Sequence, residues 1–493
     1  MMVETYQLYI DGQWRPASDG ATIPAINPYD QSVHAHIAVA TADDVADACT
    51  AARRAYDQHW SKTSPGQRAA LMNRLADLID ANASRLAVLE TVDNGKVIRE
   101  TSSQMAQASR VFRYYAGWAD KVTGTRVPLD QAATEGLVLR EAYGVIACVT
   151  AWNSPIAILC NTLPAALAAG NCVIVKPSEH ASTTTLEIAK LCEAAGFPAG
   201  VVQVVTGAGA TGAALTSSPL IDKVSFTGSP GVGRAIATAA AANLKPCALE
   251  LGGKSPNIIF DDCDFDRALI GALAGIFGAT GQTCIAGSRL LVQRGVYDRM
   301  VEGLALRAAQ IRMGDPRLPE TEMGTAANEP QFNKILSFID AARNDGARLV
   351  AGGGRADGPG LEHGFFIEPT IFADVRNDMH VAAEEIFGPV LSIIPFSDED
   401  EAVQIANDTP YGLASGVWSQ DINRCMRMMH AIRSGVVWVN TYRVAASQLP
   451  FGGMKNSGYG RVRGHEGILE WMQTKTVFID YSGDKRDPFA MKF

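Results

Sequence analysis

The sequence predicts an α/β protein built on doubly wound parallel sheets, and three observations carry that prediction. Short apolar runs rich in valine and isoleucine recur between 143 and 253, as in "GVIACVTA", "NCVIVKP", "VVQVV", "KVSFTG" and "PCALELGG". Runs of this kind mark strands buried on both faces. Helix-compatible stretches such as "TTTLEIAKLCEAAG" lie between them, and that alternation gives a parallel sheet with helices on both sides. The same rhythm resumes from about 255 to 445 with "SRLLVQ", "FFIEPTIFADV" and "GVVWVN". In such folds ligands bind beyond the carboxyl ends of the strands.

Taken in order, "LYIDGQWRPASDGATIPAINP" reads as a short hairpin turning at Asp11-Gly12. A helix follows through "TADDVADACTAARRAYDQ", with Thr41 as its N-cap and acids in the first turn. A second runs through "SPGQRAALMNRLADLIDANASRL", where apolar residues recur every three or four positions. A third covers "QMAQASRVFRYYAGWADKV". The glycine-rich "AGGGRADGPG" reads as a surface loop, and no internal repeat is visible.

At 493 residues and 47% hydrophobic, the chain has material for a large core and for two or three domains. The net charge of −9 and the lack of a basic block argue against nucleic-acid binding. "ALIGALAGIFGATG" is too short and too glycine-broken to span a membrane, and the acidic start "MMVETYQLYIDGQW" is no secretory signal. Nine scattered cysteines without close pairs read as reduced thiols, with no metal site, so a cytoplasmic location is expected.

Three stretches carry chemistry. "GQTCIAGSR" sets Cys284 among small residues, where a substrate could approach a thiol. "LELGGKSP" places Glu250 between leucines, surroundings that raise a carboxyl toward the range of a general base, although a structural ion pair has the same pattern. "AWNSP" puts Asn153 at a strand end, as an oxyanion donor or a local cap. After "KVSF", glycines 228, 231 and 233 are spaced GxxGxG rather than GxGxxG, so a phosphate site and an ordinary turn weigh equally. Fingerprint spacing would make Glu250 a ribose ligand, and "IVKPSE" offers Lys176 and Glu179 as the alternative.

In this order the chain carries "FRYYAGWADKVTG", "AWNSP", "PAALAAGNCVIVKPSE", "GFPAGVVQVVTG", "FTGS", "LELGGKSPNII", "GQTCIAGSR", "EEIFGPV", "YGLASGVW", "GVVWVN" and "PFGGMKNSGYGR". Over nearly its whole length it resembles the NAD(P)-dependent aldehyde dehydrogenase superfamily. The resemblance implies that Cys284 is the nucleophile, Glu250 the general base and Asn153 an oxyanion donor beside the Cys284 amide. It implies that Lys176 and Glu179 bind the adenosine ribose, which frees Glu250 for catalysis, with Ser178 beside them. Gly228 and Ser229 would approach the diphosphate and nicotinamide end, Glu385 the nicotinamide ribose, and Phe387 and Trp152 the ring. Thr150, Ala151, Gly209, Phe226, Val232 and Leu251 complete the implied cofactor contacts.

The implied fold is aldehyde dehydrogenase-like. It has an NAD-binding domain (1–120 and 143–252), a catalytic domain (253–450) and a small β oligomerisation region (121–142 and 473–493). The exposed strand in "TKTVFIDYSG" needs a partner edge, so a homodimer or homotetramer is expected. Glu179 favours NAD, because a carboxylate there repels a 2′-phosphate; Ser178 and Lys176 leave NADP use open.

The chain departs from members with compact aromatic pockets. Ser154 stands where a bulky ring is common, Asn161-Thr162 replaces a tryptophan-lysine pair, and Gly278 and Ala445 replace further aromatics. Thr283 and Phe451 complete the expected substrate pocket, and Arg443 is a candidate for pairing with a substrate carboxylate. A roomier, more polar pocket follows, suited to a bulky, aromatic or carboxylate-bearing aldehyde. Val462 stands where some relatives carry a glutamate, which leaves the proton route beyond Glu250 open. Retention of Glu250 argues against transfer to coenzyme A. The remaining rival is a catalytically silent binding or structural protein on the same scaffold.

Overall fold

The computed structural model describes residues 3–484 and 489. Its largest sheet has eight strands, in the order Gly458–Tyr459, Cys247–Glu250, Lys223–Thr227, Val145–Val149, Cys172–Lys176, Val202–Val204, Leu8–Ile10 and Gln13–Arg15. The five strands from Cys247–Glu250 to Val202–Val204 run parallel, and antiparallel strands flank them on both sides. These are the apolar runs of the sequence, and every residue from Val145 to Val149 and from Cys172 to Lys176 is buried. Each buried valine or isoleucine side chain contributes about 1.5–3 kcal/mol.

Of the parallel strands the chain lays down Val145–Val149 first, then builds Cys172–Lys176 and Val202–Val204 on one side and Lys223–Thr227 and Cys247–Glu250 on the other. The order therefore reverses between Val145–Val149 and Lys223–Thr227, and loops diverge at their carboxyl ends to leave a crevice.

A second sheet holds seven strands, ordered Arg348–Ala351, Thr370–Ala373, Val390–Phe396, Arg289–Gln293, Pro256–Ile259, Ala414–Trp418 and Val436–Val439. All neighbours are parallel except the first pair. A three-stranded antiparallel sheet joins Met472–Asp480, Thr134–Ala142 and Thr125–Val127. The oligomerisation range predicted from the sequence covers this sheet apart from Met472. Its residues 485–488 and 490–493 lie outside the described residues.

The hairpin at Asp11-Gly12 forms, both residues having positive φ (54° and 74°). Thr41 caps the helix Ala42–Gln58 in a reciprocal capping box with Asp44. Two helices differ from their predicted bounds. The second extends over Pro65–Asn94, and the third starts early, spanning Ile98–Ala116. The cause is a set of buried polar residues, Glu90, Asp93, Asn94 and Lys96, which break the apolar periodicity although the backbone stays helical up to Gly95. A further three-stranded sheet of Glu4–Tyr6, Val33–Ala38 and Thr22–Ile26 was not predicted. Nor was the two-residue strand Gly458–Tyr459, which returns from beyond the expected catalytic range to edge the first sheet.

Candidate active site

At the switch point the chain leaves Val145–Val149 and enters the helix Pro155–Ala169 through residues 150–154. Beside it, Lys223–Thr227 leads through Gly228 and Ser229 into the helix Pro230–Ala241, whose Val232 N–H is accepted by the Ser229 hydroxyl at 3.4 Å. A cavity of about 810 Å³ opens at these turns and is walled on its far side by the second sheet.

Cys284 reaches this cavity from the loop after the helix Phe265–Phe277. Ala279, Thr280 and Gly281 all have positive φ (53°, 55° and 69°) and turn the chain sharply. Gln282 then pins the loop. Its side-chain amide donates to the Thr325 carbonyl at 3.1 Å and accepts from the Ala327 N–H at 2.9 Å. Its own carbonyl accepts from Asn153 Nδ2 at 2.8 Å. The last bond ties the nucleophile candidate of one sheet to the amide candidate of the other.

Glu250 ends the strand Cys247–Glu250 and lies opposite Thr227 on one side and Gly458 on the other. It is buried and one carboxylate oxygen, Oε2, has no hydrogen-bond partner. Burial therefore raises its carboxyl well above the usual range, against the pull of Arg461 and Arg463. Burial likewise pushes the half-buried Cys284 thiol up to about 12, helped by the nearby Glu385 and Glu250 carboxylates and opposed by Arg463.

Glu385 is seated by the LELGG glycines. Gly253 N–H donates to its Oε1 at 2.9 Å. A Cβ on Gly252 would lie 2.0 Å from its Oε2, so that close approach requires glycine. Phe387 meets Trp152 edge-on, with ring centroids 5.4 Å apart.

Of the site residues predicted from the sequence, the cavity wall includes Asn153, Glu250 and Cys284 together with Ala151, Trp152, Gly228, Ser229, Leu251, Glu385 and Phe387. Ser154, Asn161, Thr283, Arg443, Ala445 and Phe451 line it too. Lys176, Ser178 and Glu179 sit apart, just past the strand Cys172–Lys176, with Lys176 Nζ 3.6 Å from Glu179 Oε2. Thr150 is buried beneath the turn, its hydroxyl unpartnered, and the Phe226 ring lies where a Cβ on Gly228 would collide. Gly209 opens the helix Gly209–Ser217, and Val232 is exposed on the first turn of its helix.

Gly278 does not enlarge the cavity. A Cβ there would fall 2.1 Å from Arg443 Nη1, so the guanidinium occupies the space that glycine vacates. Arg443 is held by donating from that nitrogen to the Ala274 carbonyl at 3.1 Å.

Several lining or supporting residues escape sequence reading. Arg463 enters the wall with φ of 65° and donates from Nε to Asn161 Oδ1 at 3.0 Å. Its one available signal was a second arginine two places after Arg461. Lys96 reaches Ser154 Oγ from behind at 2.6 Å. Ser457 is fully buried, donates to the Gly252 carbonyl at 2.7 Å and accepts from the Gly412 N–H at 3.0 Å. Nothing in the local pattern of "KNSGYG" announces that role.

Comparison with known proteins gives this arrangement its context. The sequence model of the aldehyde dehydrogenase family matches residues 14–477. The chain is 44% identical over 495 residues to (Z)-2-((N-methylformamido)methylene)-5-hydroxybutyrolactone dehydrogenase of Acinetobacter baylyi, covering 99% of this chain and 100% of that protein. It is 41% identical over 473 residues to betaine aldehyde dehydrogenase of Bacillus subtilis, covering 96% of each. A crystal structure of betaine aldehyde dehydrogenase from Staphylococcus aureus in complex with NAD+ superimposes with a TM-score of 0.97 at 38% identity, over 99% of this chain and 97% of that one. With a cysteine, a buried glutamate and an asparagine gathered at one switch point, the chain belongs to the aldehyde dehydrogenase family, oxidoreductases that act on aldehydes.

Proposed function

We propose that this protein oxidises an aldehyde to the free carboxylic acid with NAD, through a thioester on Cys284 that Glu250 clears with water. The observation that carries this reading is the meeting of Cys284, Glu250 and Asn153 in one cavity at the sheet switch point. The S. aureus relative crystallised with NAD+ supports the choice of cofactor.

The residues fit that cofactor. The helix Pro230–Ala241 opens toward the crevice, and space is open around Gly231 in its first turn, so its amides can face a diphosphate. The buried Thr150 hydroxyl lacks a partner, and Lys176 and Glu179 offer a cation and a carboxylate at the neighbouring strand end. Glu385 sits near the thiol end, suited to the nicotinamide ribose. When bound, NAD supplies a two-electron hydride acceptor.

At rest the Cys284 thiol is protonated, since burial holds it near 12. Attack on the aldehyde carbon therefore needs a proton acceptor, and Glu250, held high by its own burial, is matched to that task. The thiohemiacetal oxygen becomes negative. One Asn153 N–H is committed to the Gln282 carbonyl, which leaves its second N–H for the oxyanion. The Cys284 N–H, which donates to no backbone carbonyl among the described residues, is the second donor. Loss of hydride leaves a thioester and Glu250 releases the thiol proton to solvent. It then takes a proton from water as the water attacks, returns it to the departing Cys284 sulfur, and the acid leaves.

The test is to mix the purified protein with NAD and aliphatic, aromatic and carboxylate-bearing aldehydes, follow NADH and identify the product. NADH with free acid, in the absence of coenzyme A, is the expected result. An acyl product formed only with coenzyme A would overturn the hydrolytic step.

A further inference from the structure

Three guanidinium groups, of Arg443, Arg461 and Arg463, line the cavity with no carboxylate within 4.0 Å among the described residues, and Arg461 is spent on the Gly453 and Gly460 carbonyls. Arg463 is fixed at Nε by Asn161 and lies 5.3 Å from the Phe451 ring centroid. Asn161 stands on the helix Pro155–Ala169, which begins two residues after Asn153, so this arginine is rigidly placed relative to the oxyanion donor. Its two terminal nitrogens make no hydrogen bond to described residues, and no carboxylate lies within 4.0 Å of it. Arg443 is tethered through a single nitrogen to a backbone carbonyl, and it too has no carboxylate partner among the described residues. It belongs to a loop whose next residues, Val444 and Ala445, are exposed, at the outer end of the cavity.

A half-buried cation with its hydrogen-bonding face unused costs free energy unless a ligand completes it. The cavity's own carboxylates do not do so. Glu385 accepts from Gly253, and Glu250, although it feels the charge of Arg463, lies beyond ion-pair distance of both arginines. The guanidinium fork matches a carboxylate in two parallel bonds.

We infer that Arg463 and Arg443 form an anion subsite beside the nucleophile, and that the preferred substrate is an aldehyde carrying a carboxylate a few atoms from its carbonyl. The inference rests on the reading of Cys284 as the attacking thiol. An aldehyde bearing a quaternary ammonium group meets repulsion from the same wall, and a neutral one leaves both forks unused. Asn161, in place of a larger ring, gives the Arg463 side chain its seat.

Two measurements test this. First, kcat/KM is compared for 4-oxobutanoate, butanal and betaine aldehyde in the native protein and in Arg463→Gln, Arg463→Lys and Arg443→Gln. 4-Oxobutanoate is expected to lead butanal by about tenfold or more, carried mainly by KM. That ratio falls in Arg463→Gln and Arg443→Gln and is partly kept in Arg463→Lys. Second, Cys284 alkylation without NAD is followed by peptide mass spectrometry with iodoacetate and with the neutral iodoacetamide. Iodoacetate is favoured in the native protein and loses its advantage in Arg463→Gln. Equal use of the three aldehydes by the native protein, or ratios unmoved by every variant, would overturn the subsite. A complete lack of NADH from all aldehydes, with iodoacetate still favoured, would retire the oxidation reading and leave an anion site beside Cys284.

Discussion

In the proposed reaction Cys284 has to be inert without substrate and nucleophilic with it. Burial supplies the first property, since a thiol held near 12 is protonated at every working pH. Glu250 supplies the second, because a carboxyl raised by desolvation is a stronger base than an exposed one. Glu250→Gln is therefore expected to slow both the first burst of NADH and the later turnovers, by about 10²–10⁴-fold. Stopped-flow absorbance reads both phases.

The same carboxyl carries a stability signature with a definite sign. Its folded pKa lies above its unfolded value, so between those two values the native state binds more protons than the unfolded chain. Stability then falls as pH rises through that window. Glu250→Gln lacks this loss, and it should melt roughly 1–2 °C above the native protein at pH 8 while matching it more closely at pH 4.5. Thermal scans at the two pH values check it. A mutant that is less active and more stable would show that the base is kept at a cost to the fold.

At the scale of elements, the parallel strands were legible because both of their faces are buried, which leaves nearly unbroken apolar runs such as Val145–Val149. The boundary near Asn94 was not, because Glu90 and Lys96 are buried charges that find partners in Ile156 and Ser154 and imitate a surface segment in the sequence. The gathering of Cys284, Glu250 and Asn153 in one cavity matches the motifs that singled them out. Arg463 was not, since its place in the wall depends on a positive φ and on Asn161, 302 positions away. Gly278 and Arg443 were each noticed, but their complementarity exists only once the loop and the helix end are folded together.

Ser457 belongs to this scale because it joins two elements rather than serving the chemistry. Ser457→Ala strands the Gly412 N–H and the Gly252 carbonyl in a buried place, and about 1–3 kcal/mol of stability should be lost. Denaturant titration measures it, with reduced turnover expected because Gly252 adjoins Glu250. At the end of Cys172–Lys176, the role proposed for the Glu179 carboxylate is to repel a 2′-phosphate. Glu179→Gln should narrow the preference for NAD over NADP by about tenfold, read as a ratio of kcat/KM values.

For the whole molecule, the strand Met472–Asp480 runs along Thr134–Ala142 and is the last strand of its sheet among the described residues. Val127, Leu139, Phe478, Ile479 and Tyr481 are exposed on this small sheet. An edge with apolar side chains of that kind is expected to be covered by a second copy, as in a homodimer or homotetramer. Light scattering after size exclusion should report a multiple of the 52.4 kDa chain. Phe478→Glu should shift it toward the monomer. A monomeric native protein would remove this role from the strand.

The short strand Gly458–Tyr459 gives the molecule an order of events. Glu250 lies midway along the chain, yet the edge that encloses its strand is supplied by residues more than 200 positions later. A chain emerging from the ribosome can build the parallel strands around Val145–Val149 early, but it carries its base on an open edge until residue 459 has been made. Until then the thiol and the base exist without the enclosure that tunes them. On the proposed mechanism, a half-finished chain would hold Cys284 and Glu250 before the edge beside Glu250 is in place.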